Sequence, residues 1–136
     1  TKMNAQSALG AYKALKNQKA LDEASPHQLI ELMLSGALER VASASGAMER
    51  NETAETGESI GKAISIVDSL RVSLDVEKGG DLAKNLGQLY DYITRRLLEA
   101  SVSQQPELLA EVASLLKQIK TAWDEIPAEF HHLGDA

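Results

Sequence analysis

The sequence contains no cysteine, few prolines and few aromatic residues. Its 136 residues include three Pro, one Trp, three Tyr and one Phe. The lack of cysteine excludes disulfides, thiolate metal sites and thiol nucleophiles, and it favours a reducing compartment. With so few aromatic rings, a folded core has to be built from Leu, Ile, Val, Ala and Met.

Basic charge and long apolar runs are also scarce. The chain has 14 Lys and Arg against 20 Asp and Glu, for a net charge of −6. Because a nucleic-acid surface needs a concentrated basic face, we expect no nucleic-acid partner. No apolar run approaches the roughly 20 residues that cross a bilayer, so no membrane insertion is expected. The chain opens without a basic and apolar leader, so we expect no secretion signal, with Met3 as the native start.

Apolar residues recur at helical spacing through most of the chain, and Pro and Gly punctuate this pattern. Ser25, Pro26 and Gln28 predict a helix start with a capping box, and the pair Gly79-Gly80 predicts a break. The predicted helical segments are 25 to about 51, 53–75, about 80–100 and 106–127.

Four amphipathic helices of about 20–25 residues joined by short loops predict an all-α fold, an antiparallel four-helix bundle. No segment alternates at period two, so no sheet is expected. Residues 1–24 are only weakly periodic and are predicted to form a mobile, partly helical segment before the bundle at 25–127. Residues 128–136 are predicted to be an irregular tail. We expect Trp123 and the main apolar stripes to form the core.

Groups suited to catalysis or metal binding are few. We interpret His27, His131 and His132 as ordinary surface residues, since a histidine usually needs an orienting partner to do chemistry. Glu129 and His132 give one Glu-x-x-His spacing, whereas a di-iron bundle needs two such motifs and two further Glu residues. The sequence therefore predicts no catalytic residue, metal or cofactor.

Several apolar residues lie beside the main helical stripes. Leu32 and Leu38 flank the first stripe, Ile66 and Val72 flank the second, and Leu98 lies away from the third. One interpretation is scattered exposure, which is normal for soluble proteins. The other is a groove for an amphipathic helix of a partner, which the N-terminal segment could cover when the partner is absent.

The most specific pattern is the segment 73–92, SLDVEKGGDLAKNLGQLYDY, which resembles the signature of the flagellar secretion chaperones, the FliS family. Shorter matches follow the family's order and spacing, so that the resemblance runs from about Tyr12 to Ile126. These matches are Ala11-Tyr12, Ala24-Ser25-Pro26 with Leu29-Ile30, Gly36-Ala37-Leu38, and Ala122-Trp123 with Ile126. The chain departs from the family at Glu23, where Thr is frequent, and at Leu34-Ser35, where Tyr-Asp is frequent.

The resemblance implies a cytoplasmic helical bundle that binds the C-terminal segment of flagellin, which is disordered in the monomer and helical in the filament. We hypothesise a non-catalytic export chaperone that prevents premature polymerisation and releases its client without ATP. Export-gate components are further partners, and the free protein is a monomer or a homodimer. Two alternatives stay open: a helical adaptor for another client, such as an anti-sigma factor or a different secretion substrate, and an enzyme or metal-binding bundle.

The candidate client contacts fall into two groups. Those at family motif positions are Tyr12, Ser25, Pro26, Leu29, Asn85, Leu86 and Tyr90. The helical pattern alone adds Leu38, Ile66 and Val72. Tyr12 is the first candidate for a displaceable cover, with a permanent anchor on the bundle as its alternative, and Asn85 has a possible structural role across the glycine turn.

Overall fold

The computed structural model describes residues 25–74 and 76–125, which form four α-helices. Their bounds are α1 Pro26–Glu49, α2 Thr53–Val72, α3 Val76–Ser103 and α4 Pro106–Asp124. The connections are short, so successive helices run antiparallel. Helix α1 packs against α2 and α4, and α3 packs against the same two helices. The predicted all-α four-helix bundle is therefore confirmed. None of these helices is both long and apolar enough to span a bilayer.

The start of α1 has the predicted capping box. The Ser25 hydroxyl accepts a hydrogen bond from the backbone N–H of Gln28 at 3.2 Å, and the Gln28 side chain accepts from the backbone N–H of Ser25 at 2.9 Å. Pro26 occupies the first helical position, where its missing N–H costs nothing. These local bonds fix where the described chain enters the bundle.

Helix α3 is interrupted at Gly80. Its backbone there has φ 57° and ψ −133°, a conformation open to glycine and strained for residues with a Cβ. A short helical stretch begins at Val76, and the long part of α3 begins after Gly80, where the glycine pair predicts the third helix to start. The glycine therefore kinks α3 and sets the direction of the long helical part that follows.

The core is aliphatic, as the composition requires, with one Trp and one Tyr packed into it. Its largest fully buried side chains come from all four helices. They are Tyr90, Leu34, Ile60, Leu70, Ile93, Leu97, Leu109, Leu116, Val41, Val67, Val112 and Thr56. Trp123 is 3% exposed, so its predicted place in the core is confirmed.

The predicted burial was wrong for two apolar residues. Ile66 was expected beside the core stripe of α2 but is only 5% exposed. Because α2 packs against both α1 and α3, its buried arc is wider than a single seam. Leu82 was expected in the core stripe of α3 but is 46% exposed. It lies two residues after the break at Gly80, at the end of the bundle.

His27 is buried, so its interpretation as a surface residue is wrong. Its ring stacks on Trp123 with centroids 4.9 Å apart. The Trp123 indole N–H donates to the His27 carbonyl at 3.0 Å, and His27 Nε2 lies 2.9 Å from the Trp123 carbonyl. These reciprocal bonds join the first turn of α1 to the last turn of α4. His131 and His132 lie outside the described residues, as do the segments 1–24 and 126–136.

Candidate binding surface

Four large apolar side chains are exposed on the described part of the bundle. The exposed fraction is 58% for Val72, 46% for Leu82, 53% for Leu98 and 87% for Val102. We call Val72 and Leu82 the hinge patch, since they flank the α2–α3 connection, and Leu98 and Val102 the outer α3 patch. Exposed apolar side chains that cluster are typical of protein-binding surfaces, because water contact with them is unfavourable.

Two half-buried leucines lie near the hinge patch in the sequence, Leu74 in the α2–α3 connection and Leu86 on α3. Leu74 and Leu86 are partly buried and pack against the core. A Cβ placed on Gly87 would lie 3.6 Å from Leu74 Cδ1, so Leu74 packs directly on α3 at this glycine. The α2–α3 connection is therefore held against α3 by apolar packing of Leu74.

The outer α3 patch lies on the side of α3 that faces away from the core. Leu98 and Val102 are four residues apart and so occupy one face of the helix. Leu97, the neighbour of Leu98, is fully buried. The change from a buried to an exposed leucine in one residue step follows from the rotation of 100° per residue in an α-helix.

The α3 residues of the two patches lie on different sides of that helix. Sixteen residues separate Leu82 from Leu98, which corresponds to about 24 Å along the helix and about 160° around it. A straight partner helix can cover one patch only. A partner segment that contacts both patches must change direction between them.

A polar network next to the outer α3 patch holds α3 against α4. Tyr92 Oη donates to Glu111 at 2.7 Å, and Arg96 Nε donates to the same carboxylate at 2.8 Å. Arg96 also bonds Glu99 at 2.7 Å. The hydrogen bonds from Tyr92 and then Arg96 lower the pKa of Glu111, so the network is complete at neutral pH and weakens as the pH falls.

The candidate contacts from the sequence divide by exposure. Val72, Asn85, Ser25 and Pro26 are exposed, and Ser25 and Pro26 also begin α1. Partly buried candidates are Leu29, Leu38 and Leu86. Ile66 and Tyr90 are core residues at 5% and 2% exposure, so neither contributes to the surface. Burial raises the pKa of the Tyr90 phenol, which stays neutral. Tyr12 lies outside the described residues.

Sequence reasoning did not predict the exposure of the other two patch members, Leu82 and Val102. Leu82 fits the helical stripe, and only its position at the end of the bundle exposes it. Val102 stands near the end of α3, between polar residues, where an isolated valine gave no periodic signal. The available clue was its position four residues after Leu98, a leucine that already lies away from the main stripe.

The described residues contain no cluster of side chains typical of a metal site. No group of three or more His, Cys, Asp or Glu residues among them could hold a metal ion. The one buried histidine there, His27, is engaged by Trp123.

Comparison with known proteins shows which family the chain resembles along most of its length. The family model described as flagellar protein FliS matches residues 8–129. The chain is 40% identical over 129 residues to the flagellar secretion chaperone FliS of Vibrio cholerae, covering 95% of each chain. It is 47% identical over 124 residues to the flagellar secretion chaperone FliSB of Pseudomonas aeruginosa, covering 91% of this chain and 98% of the relative. The Salmonella typhimurium FliS is 41% identical over 121 residues, or 88% of this chain and 90% of the relative.

Proposed function

Because this chain belongs to the FliS family of flagellar secretion chaperones, we propose that it binds the C-terminal segment of flagellin in the cytoplasm and keeps it from polymerising before export. The observation that supports this most is the exposed apolar surface of α3 and the end of α2. A chaperone of this kind needs no catalytic group, and we propose none.

The physical case depends on the client's latent apolar face. A disordered segment that becomes helical in a filament carries apolar residues that self-associate when left uncovered. Leu82, Leu98 and Val102 offer this face an apolar surface to pack against instead of self-associating. Because the client orders as it binds, the entropy cost offsets part of the contact energy, so the complex stays releasable without ATP.

The position of the two patches sets the form of the complex. Leu82 of the hinge patch and Leu98 of the outer α3 patch are about 160° apart around α3. One continuous client segment that contacts both therefore changes direction between them, which divides its contacts between separate short helices or turns. Such a client does not form one long continuous helix on the chaperone.

Residues 1–24 supply the proposed cover of this surface. We place Tyr12 in this role, as an apolar ring that occupies part of the client surface until flagellin displaces it. Further partners in the proposal are export-gate components, and the free protein is a monomer or a homodimer.

Flagellin that lacks its C-terminal segment is expected to bind at least about tenfold more weakly than full-length flagellin, because it has lost the face that the patches cover. Isothermal titration calorimetry of the full chain with each flagellin measures this. Full-length flagellin should also give a negative heat-capacity change on binding, the sign of apolar burial. Equal affinity for the two flagellins would refute the proposed client segment.

A further inference from the structure

An exposed arginine lies beside the outer α3 patch. Arg95 precedes Leu98 by three residues and Val102 by seven. With a rotation of 100° per residue, Arg95 lies about 60° from Leu98 and about 20° from Val102 around the helix axis. Along the axis, the two separations are about 4.5 and 10 Å. All three residues therefore lie on one face of α3, and all three are exposed.

The two carboxylates nearest to Arg95 on its own helix are paired with other arginines. Residues four apart on a helix are neighbours, and opposite charges at this spacing often form an ion pair. Asp91, four residues before Arg95, has its Oδ1 3.7 Å from Arg71 Nε. Glu99, four residues after Arg95, accepts a hydrogen bond from Arg96 at 2.7 Å. Within the described part of the chain, Arg95 forms no ion pair.

The surroundings of Arg95 favour a carboxylate from a partner. A guanidinium binds a carboxylate through two parallel hydrogen bonds, while its methylene stem packs on apolar surface. A partner that covers Leu98 and Val102 also removes water from the guanidinium, and a charge that loses water without gaining a partner is unfavourable. A partner segment with an acidic residue at this position replaces the lost hydration. Arginine is enriched in protein interfaces for such contacts.

We propose that Arg95 selects a client segment that presents a carboxylate next to the apolar residues that cover Leu98 and Val102. This inference rests on the proposed function, since it names the chemistry that the flagellin segment carries. The distances along α3 set the spacing in the client, because a helix rises 1.5 Å per residue. A client helix along this patch has its acidic residue about three to seven positions from the apolar ones.

Arg95→Gln is the variant that removes the charge. The position is exposed, so the bundle should fold as the native chain does, which circular dichroism checks. Lys117→Gln is the matched control, because Lys117 is exposed on α4 and forms no ion pair within the described residues. Each variant removes one positive charge, so a general electrostatic effect on the client appears equally in both.

Isothermal titration calorimetry with full-length flagellin measures the effect at about 50 mM salt, where screening is weak. Arg95→Gln should bind about three- to tenfold more weakly than the native chain, a loss between those of exposed and buried charge pairs. Lys117→Gln should bind as the native chain does. Native affinity in Arg95→Gln, or an equal loss in Lys117→Gln, would overturn the proposal.

A double-mutant cycle identifies the carboxylate in the client. Each Asp or Glu of the flagellin C-terminal segment is replaced in turn by its amide, and each flagellin is titrated with the native chain and with Arg95→Gln. For at least one of these flagellins the two chains should bind equally, because the partner of Arg95 is already missing. An undiminished Arg95→Gln loss with every amide variant would overturn the proposal.

Flagellin without its C-terminal segment separates a failure of this inference from a failure of the proposed function. If the native chain binds the truncated and full-length flagellins equally, the proposed client segment is wrong and the role of Arg95 falls with it. If truncation weakens binding but Arg95→Gln does not, the client segment stands and the role of Arg95 alone is refuted.

Discussion

Leu97→Ala is expected to lower the free energy of unfolding by about 2–5 kcal/mol, whereas Leu98→Ala should change it by no more than about 0.5 kcal/mol. Leu97 is fully buried between the helices, and truncation there leaves a cavity. Leu98 is 53% exposed and loses little packing. Urea denaturation followed by circular dichroism measures both values. The two variants remove the same atoms from adjacent positions, so composition cannot explain a difference.

The same pair separates stability from binding. Leu98→Ala should fold like the native chain and bind flagellin more weakly, because it reduces the outer α3 patch alone. Similar stability losses in the two variants would mean that Leu98 belongs to the core. Native affinity in Leu98→Ala would remove this patch from the binding surface.

Trp123→Ala is expected to destabilise the chain by about 3–5 kcal/mol, the usual cost of deleting a large buried ring. The indole is 3% exposed, stacks on His27 and donates to the His27 carbonyl. Its loss removes the packing and the hydrogen bond that join α1 to α4. Thermal and urea unfolding both report the effect.

Trp123→Phe divides that loss into two parts. The phenyl ring keeps much of the packing but cannot donate, so the His27 carbonyl is left without this partner, at a cost of about 1–3 kcal/mol. Lys117→Ala, on the outward face of α4, is the control and should be nearly neutral. A loss in Trp123→Phe as large as that in Trp123→Ala would show that the hydrogen bond, and not the ring volume, dominates.

Local signals predicted the helices well. Ser25 and Pro26 begin α1, Pro106 begins α4, and Thr53 begins α2 as expected from caps, prolines and periodicity. These signals act within a few residues of the feature that they specify. The ends were less accurate, since α2 ends at Val72, three residues before the predicted Asp75.

The burial of three residues depends on tertiary neighbours that the helical pattern does not specify. Ile66 lies off the single-seam stripe and is buried because α2 has two partners. Leu82 lies on its stripe and is exposed at the end of the bundle. His27 became buried through Trp123, a residue 96 positions away. No helical pattern encodes such a pairing, so the candidate surface was predicted only in part, chiefly at Val72.

An amide hydrogen-exchange map of the chain, alone and with full-length flagellin, tests the central claim most directly, with flagellin lacking its C-terminal segment as control. The account predicts slower exchange at the end of α2 around Val72, at the start of α3 around Leu82, and from Leu98 to Val102. The truncated flagellin should not produce this change. Unchanged exchange at both patches in the complex, or protection confined to the outward face of α4, would contradict it.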